Sequence, residues 1–121
     1  MTKRLIATVM LAAALTLSAA PASFAGAIGG PRSTSDRIAA RGERSWRVTF
    51  AGGQTARVAV AGDGYTVLDL YVYNLYGNLI AWDERMQKTC VVEWRPKYDE
   101  TFVVIVVNRG STYNDFGLAT N

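Results

Sequence analysis

The chain has 121 residues, with 13 basic and 10 acidic side chains, one cysteine and no histidine. Without histidine, neither Ser-His-Asp nor Cys-His nucleophile activation can be built, nor a zinc site of the common His/Cys type. A lone cysteine leaves no internal disulfide to staple the fold.

The first stretch, MTKRLIATVMLAAALTLSAAPASFAGA, opens on Lys3 and Arg4, continues apolar from Leu5 to Ala20 and reaches small residues at Ser23 and Ala25. That is the pattern of a secretory signal peptide. The apolar run is short for a membrane span of about 20 residues and is followed by Pro21. Cleavage is therefore expected, first at Ala25|Gly26 and second at Ala27|Ile28, giving a secreted or periplasmic protein with no membrane span. Lys3 and Arg4 leave with it, so 11 basic residues face 10 acidic ones. Such a balance offers no electrostatic basis for nucleic-acid binding. The 96 residues from Gly26 onward suffice for one small domain, expected to be monomeric.

Gly26 to Ser35 is rich in Gly, Pro and Ser and reads as the start of a flexible lead over 26–43. Within it, Asp36–Glu43 forms either one helical turn or an extended segment, with Ile38 as its large apolar residue. From Ser45 the hydrophobic period becomes two. Trp46, Val48 and Phe50 share one face, as do Ala56, Val58 and Val60, and Gly62–Gly64 marks a turn. In LDLYVYN, Leu68, Leu70 and Val72 point inward, while Asp69, Tyr71 and Tyr73 point outward to solvent. NLYGN turns the chain into a return strand over Leu79–Trp82. TCVVEW, where Cys90 reads as a small buried hydrophobe, TFVVIVVN and a short strand in STYNDFGLATN follow. About seven short strands at this spacing predict an all-β antiparallel sandwich over 44–121, with a small barrel as the alternative.

AGGQTARVAVAGDG, LDLYVYN, YGNLIAWD, TFVVIVVNRG and YNDFGLATN occur in the order found in bacterial pre-peptidase C-terminal domains, and the chain resembles that family from about Ala40 to its end. The resemblance implies a jelly-roll-like β-sandwich of exported proteins, commonly placed behind secreted peptidases. Some relatives bind collagen or other polymers, and some bind calcium. The family tends to carry two acids at the start of the LDLYVY strand; this chain has Asp69, but Val67 at the earlier position. The resemblance also sets Phe102, Val104, Val106 and Asn108 inward, and Val103, Ile105 and Val107 outward.

No Walker loop or dinucleotide glycine fingerprint is present, and a small sandwich is a poor host for the facing carboxylates of a glycosidase. A non-catalytic module with no cofactor is expected. Two sites remain. Loops at one end bring Asp63, Asp69, Asp83 and Asp115 together as oxygen ligands for calcium; the competing reading pairs these acids with Arg85, Lys88 and Arg109. On the outer face, Tyr71 and Tyr73 with Val103 and Ile105 offer an aromatic stripe for a protein or an extracellular polymer; the competing reading is ordinary cross-strand packing. An apolar stripe of this size needs cover, and Ile38 or Ile28 of the lead segment is expected to supply it. The leading function is an exported binding or structural accessory module. The alternative is a secreted inhibitor or chaperone acting in trans on an extracellular peptidase.

Overall fold

A computed structural model describes residues 26–121. The expected signal peptide and its Lys3 and Arg4 lie outside the described residues. Eight strands follow in order: β1 (Arg32–Ile38), β2 (Glu43–Phe50), β3 (Ala56–Ala61), β4 (Leu68–Asn74), β5 (Leu79–Asp83), β6 (Thr89–Trp94), β7 (Glu100–Asn108) and β8 (Asn114–Thr120). They form two four-stranded antiparallel sheets, a front sheet ordered β2-β7-β4-β5 and a back sheet ordered β1-β8-β3-β6. The described residues contain no helix. This is the predicted β-sandwich, with one strand more than expected.

Alternation accounts for the core. Leu68, Leu70 and Val72 of β4, Phe102, Val104 and Val106 of β7, and Val58 and Val60 of β3 are buried between the sheets. At one end Phe50, Trp94 and Phe102 pack edge to face, with Phe50 and Trp94 centroids 5.0 Å apart. Such pairs add to the stabilisation from buried area. The β4–β5 turn follows from its residues. Asn74 Oδ1 accepts from the N–H groups of Tyr76 and Asn78, and Gly77 takes φ 85°, which a residue without Cβ adopts at no steric cost.

The segment expected as a flexible lead is instead part of the sandwich. β1 pairs with β8 along its whole length, from Arg32 opposite Thr120 to Ile38 opposite Asn114. Its hydrophobic period is invisible because Ile38 alone among its seven side chains is buried. Backbone hydrogen bonds to an available edge, rather than side-chain burial, place this strand. Ile38 therefore sits in the core between the sheets, 1% exposed, and does not cover the outer face of the front sheet. Ile28 is exposed and does not meet that expectation either.

The loops joining β3 to β4, β5 to β6 and β7 to β8 meet at one end, as the alternating topology requires. Two buried asparagines tie the β7–β8 loop and the ends of its strands to the β1–β2 and β3–β4 loops. Asn108 Nδ2 donates to the Thr112 carbonyl at 2.8 Å and to the Ala39 carbonyl at 3.2 Å, while its Oδ1 accepts from Gly110. Asn114 donates to Thr66 Oγ1 at 2.8 Å and accepts from the Asp63 N–H. Fully satisfied buried amides of this kind define loop positions more sharply than apolar packing does.

Candidate binding face and its polar rim

The outer face of the front sheet is built by register. Tyr71 lies between Ile105 of β7 and Trp82 of β5; Tyr73 lies between Val103 and Leu79. The sequence-derived stripe of Tyr71, Tyr73, Val103 and Ile105 is thus brought together on one face, each residue half-buried. Arg47 and Ser45 of β2 border it beyond β7.

Trp82 and Leu79 were missed as members of this face, and the reason is local. The β4–β5 register shifts at Val72/Tyr73, which leaves Ile80 as the extra residue of a bulge. Strict alternation from Leu79 would send Trp82 inward. The bulge reverses the phase: Ile80 packs against the core, Ala81 is buried, and Trp82 is 55% exposed. The readable signal was the glycine turn at Gly77, which anchors the hairpin and sets Trp82 opposite Tyr71 once one extra residue is allowed.

At the loop end this face meets a charged rim. Arg109, from the β7–β8 loop, donates through Nε to Asp69 Oδ2 at 2.8 Å and through Nη2 to the Tyr71 hydroxyl at 2.9 Å. The Tyr71 hydroxyl in turn donates to the Glu84 carboxylate. Burial, and then the Glu84 carboxylate, hold the Tyr71 phenol above its ordinary pKa, so it stays a proton donor. Tyr65 and Met86 rise beside this network and, with Thr66, Asp69, Glu84 and Arg109, line a shallow cleft. Met86 adopts φ 61°, a left-handed conformation uncommon for a residue with a Cβ.

Asp69 lies on the outer face, as alternation dictates, but it is not solvent-facing. Its side chain is 9% exposed because the Arg109 guanidinium closes over it. Asp83 points the other way. It is opposite Leu70, on the inner side of the sheet, where its Oδ2 accepts from the Val91 N–H of β6 at 2.9 Å and so joins the two sheets. Arg85 forks onto both of its oxygens at 2.8 Å. The Arg85 hydrogen bonds, helped by the Val91 N–H and opposed by burial, hold the Asp83 carboxyl below its ordinary range.

The four acids proposed for calcium are therefore divided. Asp63 and Asp115 are neighbours, with Asp63 Oδ2 accepting the Asp115 N–H at 2.9 Å, and Arg37 forks onto Asp115. Asp69 and Asp83 lie on opposite faces of the front sheet, each with its own arginine. Among the described residues no three His, Cys, Asp or Glu side chains are grouped to hold one ion.

Cys90 is buried, as read from its strand, with Sγ donating to the Leu68 carbonyl at 3.2 Å. Burial pushes its thiol up to about 12, so the reactive thiolate is scarce at neutral pH. Among the described residues no helix is long and apolar enough to cross a membrane.

No protein-family model matches the sequence, and no curated protein matches it. Solved structures do match its fold. The pre-peptidase C-terminal domain of a collagenase from Bacillus anthracis superposes with a TM-score of 0.60 at 10% identity, over 73% of this chain and 88% of that one. PliG of Aeromonas hydrophila, a periplasmic inhibitor of g-type lysozyme, superposes with a TM-score of 0.56 at 10% identity, over 82% of this chain and 88% of that one. At such identities the likeness is one of β-sandwich fold, and the resemblance read from the sequence motifs stands at that level.

Proposed function

We propose that this chain is an exported, non-catalytic β-sandwich module that binds a protein or an extracellular polymer through the outer face of its front sheet. One observation carries the reading: Trp82, Tyr71 and Ile105 form a rung beside Leu79, Tyr73 and Val103, and this apolar, aromatic surface ends on the charged rim of Asp69, Arg109 and Glu84. Aromatic side chains bring large contact area at low entropic cost, and a fixed polar edge supplies orientation. Secretion or periplasmic residence follows from the leader pattern of the sequence. The sandwich fold suits such a role, since it also occurs as the pre-peptidase C-terminal domain of a collagenase and as a periplasmic lysozyme inhibitor. The second of these likenesses supports the alternative reading, a partner acting in trans on an extracellular enzyme.

The test is capture from the secreted and periplasmic fractions by the exported full chain, compared with its Ile105→Asp variant and repeated with a calcium chelator. A polymer or protein retained by the parent and lost by the variant supports the reading. Retention of a secreted peptidase selects the trans-acting alternative. Equal retention by parent and variant removes the front face from consideration, and loss on chelation alone brings calcium back.

A further inference from the structure

The two cleavage positions expected from the sequence differ by two residues, and those two residues are built into the fold. Gly26 and Ala27 are both buried. The Ala27 N–H donates to the Asn121 carbonyl at 2.9 Å, just beyond the end of β8 in the back sheet. On its other side the same segment meets the front sheet. The Ala51 N–H donates to the Gly26 carbonyl at 2.6 Å, the Ile28 N–H donates to the Thr49 carbonyl at 2.8 Å, and Ala27 forms an antiparallel bridge with Phe50. Gly26–Ile28 thus stitches the end of β2 to the residue following β8, across the gap between the two sheets.

The contact is close enough to dictate residue type. A Cβ at position 26 would lie 2.7 Å from the Thr55 carbonyl oxygen and 2.9 Å from Asn121 Oδ1. Neither atom is free to retreat. Asn121 Nδ2 donates to that same Thr55 carbonyl at 2.9 Å, and Asn121 Oδ1 accepts from the Arg57 N–H at 2.9 Å. Position 26 accordingly requires glycine for close backbone approach.

We infer that processing occurs at Ala25|Gly26 and that the new terminal segment Gly26–Ile28 is a clasp that the mature domain needs. This rests on the exported reading. A cut at Ala27|Ile28 would remove the partner of the Ala51 N–H and that of the Asn121 carbonyl, and would take Ala27 out of the core. Buried backbone groups left without partners are costly, so a chain shortened by two residues opens at the seam between β2 and β8.

The experiment uses the full-length chain exported from a bacterial host. Intact mass of the purified product should correspond to a start at Gly26. A start at Ile28 overturns the inference while leaving export intact; a mass retaining Met1 overturns export, and the inference with it. Ser23→Lys then blocks the first position and leaves Ala25-Gly26-Ala27 readable. Its product, starting at Ile28, should melt well below the parent and be digested faster by added protease. Ala27→Pro keeps the first position, deletes the N–H that reaches Asn121 and places a ring where Ala27 is buried. It should lower the melting temperature by at least about 4–8 °C, the shift that a loss of about 1 kcal/mol produces in a domain of this size. Melting temperatures equal to the parent's in both variants would overturn the clasp.

Discussion

The two outer faces of this sandwich obey the same alternation and carry opposite surfaces. Outward positions of the front sheet hold Trp82, Tyr71, Tyr73, Ile105 and Val103. The corresponding positions of the back sheet hold Ala59, Ala61, Ala119 and Gly117, with Val91 beside the alanines, and ion pairs of Arg57 with Glu93 and Arg37 with Asp115. Strand formation needs neither surface in particular, since backbone pairing and the inward residues are satisfied in both. The difference shows where side chains exceed what the fold requires, and that excess lies on the front sheet.

The comparison assumes that both faces rest on one shared core, and Leu70 tests it first. Leu70→Ala should destabilise the domain by roughly 2–5 kcal/mol, as expected for truncation of a fully buried leucine. Denaturant unfolding followed by tryptophan fluorescence measures it; two separate transitions would show that the sheets do not share a core.

Asp83 joins the sheets, so its loss should come next. Asp83→Asn should cost about 1–3 kcal/mol at neutral pH through the weakened Arg85 and Val91 bonds. Because the folded-state pKa lies below the ordinary value of 3.8, the unfolded chain binds the proton more readily. The stabilisation is thus fully present above that value and is lost as pH falls below it through the lower folded-state pKa. Thermal melts from pH 7 to pH 2 should show the gap between parent and variant closing in acid, and a constant gap would contradict the linkage.

Substitution on the outer faces should separate binding from stability. Ile105→Asp should cost about 1–3 kcal/mol, because a half-buried β-branched residue in mid-strand is replaced by a poor strand former, and should leave the domain folded, yet abolish capture of the partner. Glu93→Ala on the back sheet should leave both unchanged. If Ile105→Asp unfolds the domain, the outward placement of Ile105 is wrong by one residue of register. The smallest effect belongs to Cys90. With its thiol pushed up to about 12 by burial, the native protein should resist thiol-specific labelling at pH 7 and label fully in denaturant.

The inward sets of β3 and β4 follow from period-two patterning, because a buried face must be apolar at every second residue whatever its partners; β7 is apolar at every position from Phe102 to Val107, so its facing came from the family resemblance. The burial of Cys90 and the outward row of Tyr71, Tyr73, Val103 and Ile105 were legible by the same alternation, the β7 positions with help from the family resemblance. Tertiary structure decided the rest. β1 has one buried side chain and is placed by pairing with β8, which local sequence does not encode. Trp82 joins the front face through a bulge at Ile80, and one extra residue reverses every later side chain of that strand. Asp69 is outward by alternation yet buried under Arg109, which comes from 40 residues further along the chain. Alternation sets the side on which a residue lies, whereas its cover is supplied by whatever distant segment the loops bring over it.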